Sequence, residues 1–297
     1  MVDKRKTNLM KEYILPDATR IGYVHLTVSD AEKVSAFYRD LLGFCENRND
    51  DGVIGLSANG HTPHHILLTE NRHAKPRRPH TTGLFHLAIR VPNRIELARM
   101  FFKIHERRYP FQGFADHGVS EALYMADPEG NGVEIYVDRP MDLWPKRQGR
   151  LHMTTDPLDV NDLMNEIKND SSAIKDLHPE TDIGHIHLQV SELSRAEKFY
   201  HGILGMDITQ DSYPGALFLS AGGYHHHIGA NIWSGEGAVR PGKDFLGLAG
   251  FAIHIPDSPD KDLLLSQFSS NRIEISQKGK SYFTHDLDHN PIELIFE

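Results

Sequence analysis

The sequence predicts an α+β fold in which four βαβββ modules pair into two open, barrel-like domains. Two internal repeats support this class. Residues 21–44 align without a gap to residues 183–206, and both stretches carry Ile-Gly, His, Leu, Val-Ser, Phe-Tyr and Gly at matched places. Residues 83–92 align more faintly to residues 247–256. Because a unit of about fifty residues cannot bury both faces of its own sheet, the four modules must pair.

Each module is predicted to begin with a strand that leads into a helix. In the first module, residues 24–28 alternate in apolar character as a strand does, and Asp30 is a candidate N-cap. A helix is predicted over residues 31–42, where apolar side chains recur at three- and four-residue spacing, and Gly43 ends it. Three short strands complete a module. In the second module, the last two of them enclose a turn over residues 127–130.

The order of the repeats divides the chain. Residues 19–138 hold a first pair of modules and residues 183–297 a second pair, with a linker over residues 139–182. An amphipathic pattern from Pro157 to Ile167 predicts one short helix in this linker. The four modules cover residues 19–70, 83–138, 183–233 and 247–297.

Composition excludes several classes of protein. With 297 residues, 39% of them hydrophobic and 25% charged, the chain is long enough for two globular domains. A net charge of −9 argues against nucleic-acid and anionic-membrane partners, which attract clustered Lys and Arg. The single cysteine, Cys45, excludes a disulfide framework and suits a reducing cytoplasm, where we expect the protein to act. No apolar stretch follows residues 1–6, so we predict neither a signal peptide nor a membrane span there.

The second module collects groups that bind metals and transfer protons. His86 lies on its first predicted strand and His117 in a loop, and Tyr124 and Glu134 lie on its last two strands. The third module repeats the first-strand histidine as His185. Nitrogen donors, a phenol and a carboxylate on neighbouring strands can form a metal site with acid–base groups beside it.

This modular plan and its His, Tyr and Glu pattern resemble the vicinal oxygen chelate superfamily, and more narrowly the extradiol, catechol 2,3-dioxygenase-type ring-cleaving enzymes. The resemblance covers the chain from about Thr19 to Glu297. The stretch from His117 to Glu134 matches the extradiol signature, whereas Ala115 departs from its first position. The resemblance implies aromatic hydrocarbon catabolism, in which O2 opens the ring of a catechol-type diol at a non-haem Fe(II) held by two His and one Glu.

The resemblance further implies that the ligands come from the first strands of two paired modules and the last strand of one. Gly250 occupies the first-strand position of the fourth module and cannot be a ligand, so the sequence leaves two cages open. If module two pairs with module three, the ligands are His86, His185 and Glu134. If module three pairs with module four, they are His185, His227 and Glu293. We favour the first cage because it needs no change of ligand type.

The run from Tyr224 to His227 is the candidate source of the acid–base group. Strand alternation prevents its three histidines from all facing the cavity, and the sequence leaves open which one does. By resemblance to the extradiol enzymes we prefer His226, followed by His227. The same resemblance makes Tyr124 a hydrogen-bond donor to substrate or oxygen, and places His117 over the cavity mouth.

Two other functions remain open at this stage. A glyoxalase-type isomerase or lyase would use the same cage with His227 as a fourth ligand, and a metal-free protein would bind an aromatic ligand or toxin in the same cup. Mn or Zn could occupy the cage in place of Fe(II). We read His25 and His187, which share one repeat position, as packed strand histidines. The sheet edges allow pairing with a second copy of the chain, so a homo-oligomer is possible.

Overall fold

The structure, a computed structural model, describes residues 13–49, 51–168 and 177–297. The residues on which the leader-peptide prediction rests lie outside these ranges, as does part of the linker. Every helix within the ranges is too short or too polar to cross a membrane. The strands are β1 Arg20–Val28, β2 Cys45–Arg48, β3 Ile54–Ser57, β4 Ile66–Glu70, β5 Gly83–Arg90, β6 Gly113–Asp116, β7 Ser120–Ala126, β8 Gly132–Asp138, β9 Lys146–Arg147, β10 Arg150–Leu151, β11 Asp182–Gln189, β12 Asp207–Gln210, β13 Ala216–Ser220, β14 Ile228–Asn231, β15 Gly247–Ile255, β16 Ser276–Lys278, β17 Ser281–His285 and β18 Pro291–Phe296. The α-helices are α1 Ala31–Ala36, α2 Arg94–Glu106, α3 Val160–Asn165, α4 Leu193–Ala196 and α5 Lys261–Ser270.

Sixteen of these strands form two mixed, eight-stranded sheets, as the predicted α+β fold of βαβββ modules requires, and β9 and β10 form a separate hairpin. One sheet has the order β16-β17-β18-β15-β1-β4-β3-β2, and the other β12-β13-β14-β11-β5-β8-β7-β6. At each centre, the first strands of two modules pair antiparallel, β1 with β15 and β5 with β11. The pairing is therefore module one with module four and module two with module three. The sheets do not follow the neighbouring pairs 19–138 and 183–297.

The two modules of each half of the chain share no strand pairing within the described residues, but a carboxylate from one reaches a helix start in the other. Glu129, in the turn of module two, accepts hydrogen bonds from the backbone N of Ser29 (2.8 Å) and of Asp30 (3.0 Å) at the start of α1. Asp288, in the corresponding turn of module four, accepts from the backbone N of Ser191 (2.8 Å), just before α4. A carboxylate is favourable at a helix start because the first N–H groups have no partner within the helix. Each half of the chain thus contributes one module to each sheet.

The predicted helix over residues 31–42 is confirmed, with a change of pitch inside it. Asp30 caps α1 by accepting a hydrogen bond from Lys33 N (2.9 Å). The helix then continues as a π-helical stretch, Phe37–Leu42, and ends at Gly43, which has a φ of 100°. Only glycine adopts that conformation without strain, which is why Gly43 predicts the end of the helix correctly.

The linker contains the predicted short helix, α3, but it also closes the cavity of the second sheet. The hairpin of β9 and β10 leads into a segment that is tied down on both sides. Met153 N donates to Oε1 of Gln210 (2.7 Å), and Thr154 N donates to the carbonyl oxygen of His117 (3.1 Å). We call residues 152–156 the roof segment. It covers the site described next.

Candidate metal centre and cavity

Three neighbouring strands bring together the side chains of the favoured cage. His86 lies on β5, Glu134 on β8 and His185 on β11, and Ala88 of β5 is paired with both Glu134 and His185. Glu134 Oε2 lies 2.9 Å from His86 Nε2 and 3.1 Å from His185 Nε2. All three side chains are buried, and their candidate ligand atoms lie within 4.8 Å of one another. The antiparallel pairing of β5 with β11 is what assembles this group.

The geometry of this triad fits a metal ion. Adjacent ligands of an octahedral ion, each at about 2.1 Å, lie about 3.0 Å apart, which is close to the two distances above. Nε2 of His86 faces the carboxylate but is not aligned for a hydrogen bond, and it has no other partner among the described residues. A buried polar atom without a partner costs about 1–3 kcal/mol, so it calls for a ligand. Two imidazoles and one carboxylate suit a non-haem Fe(II) with open positions.

The protonation states favour metal binding. Burial lowers the pKa of His185 to about 4, and the neighbouring Glu134 offsets this only in part. Burial would raise the pKa of Glu134, but His185 and His86 outweigh it and hold that pKa well below its usual range. A neutral imidazole and an ionised carboxylate are the forms that ligate metals.

A glycine makes room for the first ligand. Gly132 is paired with His86 across β5 and β8. A Cβ at this position would lie 2.1 Å from the carbonyl oxygen of Phe85 and 3.0 Å from His86 Cβ. Any larger residue would therefore push β5 away and displace the ligand.

His117 and Tyr124 form a hydrogen-bonded pair beside the triad. Nδ1 of His117 lies 2.6 Å from the carbonyl oxygen of Thr154, which can only accept, so this nitrogen carries the proton. Nε2 of His117 is then the acceptor for the Tyr124 hydroxyl, at 2.6 Å. Burial, reinforced by Glu134 on the adjacent strand, raises the pKa of Tyr124 well above its usual value. The phenol therefore stays protonated at the cavity wall.

Of the three consecutive histidines, His226 lines the cavity. His225 Nε2 lies 2.9 Å from Asp138 Oδ1, and His225 Nδ1 lies 2.7 Å from His226 Nδ1. The carboxylate can only accept, so Nε2 of His225 donates a hydrogen bond to it. Nδ1 of His225 is therefore an acceptor, and His226 Nδ1 donates to it. This leaves Nε2 of His226 with a free lone pair. The ring centroid of His226 lies 4.1 Å from that of His185.

Asp138 is in turn held by two partners. Arg90 Nη1 lies 3.3 Å from one carboxylate oxygen, and the Tyr224 hydroxyl donates to the same oxygen at 3.0 Å. Burial opposes ionisation of Asp138, but His225, Arg90 and Tyr224 together lower its pKa. The carboxylate remains charged and fixes the orientation of His225.

The second cage is not assembled, because its members lie on different sheets. Glu293, on β18, accepts a hydrogen bond from the Tyr23 hydroxyl at 2.5 Å, whereas His185 is on β11. His227 Nδ1 accepts from the backbone N of Ala221 at 3.2 Å. His65, at the same repeat position, accepts from an equivalent backbone N. This position caps a hairpin, and His227 is not among the described residues that line the cavity.

Replacing His227 by glutamine should make the protein less sensitive to acid. Burial, with help from His225 and Arg90, lowers the pKa of His227 to about 3. Between pH 6.5 and 3 the unfolded chain binds a proton there and the folded protein does not, so stability falls as the pH falls through this window. One such group costs up to about 1.4 kcal/mol per pH unit. Urea unfolding between pH 7 and 5 should show a shallower loss for His227→Gln, whose side-chain oxygen still accepts from Ala221.

His73→Gln is the matched control, because His73 is exposed. Its stability should follow the wild type at every pH. Parallel pH curves for wild type and His227→Gln would show that His227 is free to take a proton in the folded protein, against this prediction.

Sequence reasoning missed two parts of the cavity. His187 lines it, with its ring centroid 5.0 Å from that of His86 and its Nε2 unpartnered within the described chain. It follows His185 by two residues on the same strand face, so alternation could have revealed it. The roof segment carries no comparable signal, because a loop contact has no periodicity.

The comparisons with known proteins agree with this geometry. A family model described as Glyoxalase/Bleomycin resistance protein/Dioxygenase superfamily matches residues 20–135 and 182–294. The chain belongs to this superfamily. It is 39% identical over 273 residues to a catechol-2,3-dioxygenase of Bacillus subtilis (strain 168), covering 90% of this chain and 94% of the relative. Within the superfamily the protein is a catechol-2,3-dioxygenase-like extradiol dioxygenase, which confirms the resemblance read from the sequence.

Two further comparisons cover less of the chain or share less of its sequence. A biphenyl-2,3-diol 1,2-dioxygenase 3 of Rhodococcus globerulus is 34% identical over 120 residues, which is 40% of this chain and 63% of that protein. The crystal structure of glyoxalase I from Zea mays shares the fold with a TM-score of 0.56 at 14% identity, covering 94% of this chain and 92% of that one. A likeness at that identity supports the fold alone.

Proposed function

We propose that this protein uses O2 to open the ring of catechol-type aromatic diols beside the diol, with Fe(II) held by His86, His185 and Glu134. The observation that carries the proposal is the buried triad at the wall of a cavity, in which two imidazole nitrogens flank one carboxylate oxygen at 2.9 and 3.1 Å. The similarity to a catechol-2,3-dioxygenase over most of the chain supports the same reaction.

The triad forms part of the cavity wall, so a substrate can reach it from the cavity. When bound, Fe(II) supplies a charge that lowers the pKa of the diol hydroxyls and a route for electrons between the diol and O2. His226 presents the free lone pair of Nε2 to the same space, so it can take a proton from a diol hydroxyl. His225 and Asp138 hold this imidazole in the required tautomer.

On the opposite side, Tyr124 and His117 provide hydrogen-bond donors and acceptors. The Tyr124 hydroxyl can turn from His117 to donate to an oxygen of the substrate. His117 is held in place by Thr154 of the roof segment, so the linker positions the pair. The roof segment also keeps bulk water from the reacting oxygen atoms, which strengthens the hydrogen bonds to them.

Oxygen uptake by the metal-loaded protein tests the proposal. Protein purified without metal and loaded anaerobically with Fe(II) should consume equal molar amounts of O2 and catechol and form a ring-opened product that absorbs visible light. Samples loaded with Mn or Zn and assayed in parallel identify the native ion, and metal analysis of untreated protein gives an independent readout. A stable protein that takes up no metal, or oxygen uptake with the ring intact, would overturn the proposal.

A further inference from the structure

The cavity beside the triad is larger than a single-ring diol needs. Its volume is about 350 Å³. A cavity of about 150 Å³ is enough to bind benzene. The remaining space can hold a second ring or a branched alkyl chain. A catechol bound at the triad would leave this space empty unless its ring carried a substituent.

One wall of the cavity is aromatic. Trp233 packs edge-on against Phe85, with ring centroids 5.3 Å apart, and lies 5.4 Å from His187. Tyr213 follows at 6.1 Å from Trp233 and at the same distance from Phe218. Trp233 is 47% exposed, so it stands at the mouth with one face open. We call Phe85, Tyr213, Phe218 and Trp233 the aromatic wall.

Two aliphatic side chains also line this space. Val119 and Met153 line the cavity, and both belong to a buried apolar cluster that also includes Phe218. Met153 comes from the roof segment, so the linker completes the enclosure. A flat apolar group in this space would meet apolar side chains of both the roof segment and the aromatic wall.

The cavity provides no cation for a charged substituent. Neither Lys nor Arg is among its described lining residues, and the one carboxylate there, Glu134, would repel a second. Arg90, which lies behind His225, is already paired with Asp138 and Asp182. Arg139 is likewise paired with acidic side chains. A carboxylate on the substrate would lose its water without gaining a cationic partner.

We infer that the site selects uncharged catechols with an apolar, preferably aryl, ring substituent and discriminates against carboxylated catechols, an inference that rests on the proposed ring-cleaving function. Trp233 is the residue that sets this preference. It touches the substituent and not the reacting oxygen atoms, because it stands at the mouth of the cavity.

Steady-state oxygen uptake with four diols tests the inference: catechol, 3-phenylcatechol, 3,4-dihydroxybenzoate and 3,4-dihydroxyphenylacetate. We expect kcat/KM to be higher for 3-phenylcatechol than for catechol, and about 100-fold lower for the two carboxylated diols. In Trp233→Ala the ratio of kcat/KM for 3-phenylcatechol to that for catechol should fall about tenfold. Phe283→Ala is the control, because it removes a partly exposed aromatic ring from the other sheet, and it should leave the ratio unchanged.

The outcomes separate this inference from the function on which it rests. If the iron-loaded protein cleaves none of the four diols, the proposed function fails. If it cleaves catechol and the carboxylated diols with similar kcat/KM, the function stands and the inference is wrong. An unchanged ratio in a folded Trp233→Ala would remove Trp233 from the argument. Should that variant fail to fold, the comparison of the four diols on the wild type decides.

Discussion

Replacing Glu134 by glutamine is expected to remove the bound metal and, with it, the oxygen uptake. The change keeps the shape of the side chain but removes the only anionic ligand of the triad. Loss of a group that merely orients a ligand costs about 10- to 100-fold in metal affinity, so loss of a ligand itself should cost more than about 100-fold. Metal content after gel filtration and kcat with catechol measure the two effects separately.

Glu293→Gln provides a matched control within the same chain. Glu293 holds the repeat position of Glu134 on the other sheet, where it accepts a hydrogen bond from Tyr23. This variant should keep its metal and its activity. If Glu293→Gln lost the metal while Glu134→Gln retained it, the assignment of the site to the sheet of modules two and three would be wrong.

Replacing His226 by glutamine should greatly lower kcat without loss of metal. A general acid–base group contributes about 10²- to 10⁴-fold to the rate. His226 is not part of the triad, so the metal content should remain that of the wild type. The expected result is a fall in kcat of that size with little change in KM, measured by oxygen uptake on protein of known iron content.

The two residues behind His226 allow a finer test of its orientation. In Asp138→Asn the new amide can donate a hydrogen bond to His225 Nε2. This reverses the tautomer of His225, so that its Nδ1 carries the proton. That proton would then face the proton on His226 Nδ1. We expect kcat to fall at least about tenfold and the acidic limb of the pH profile to move, because the free lone pair of His226 is no longer enforced. A purely structural role for Asp138 would lower stability without moving the pH profile.

Asp182→Asn is the control for this pair of effects. Asp182 also binds Arg90, at 2.7 Å, but it does not contact His225. It should leave the pH profile unchanged. Equal effects of Asp138→Asn and Asp182→Asn would mean that Arg90, and not the tautomer of His225, governs the rate.

The sequence by itself determined the modules and most of the candidate ligands. The gapless alignment of residues 21–44 with 183–206 reports the same strand and helix twice, because local capping and periodicity act within short segments. His86, His185 and Glu134 were found because the resemblance to the extradiol enzymes assigns ligands to the first and last strands of the modules. Gly43 marked the helix end for the same local reason.

Only the tertiary structure decided how the modules pair. Both pairings satisfy the same local patterns, and the choice depends on contacts between segments about a hundred residues apart, such as those of β5 with β11. That choice removed Glu293 from the site. The tertiary structure also decided that His226 lines the cavity and that His227 caps a hairpin. The sequence left this open because a shift of one residue along a strand reverses the face on which a side chain lies.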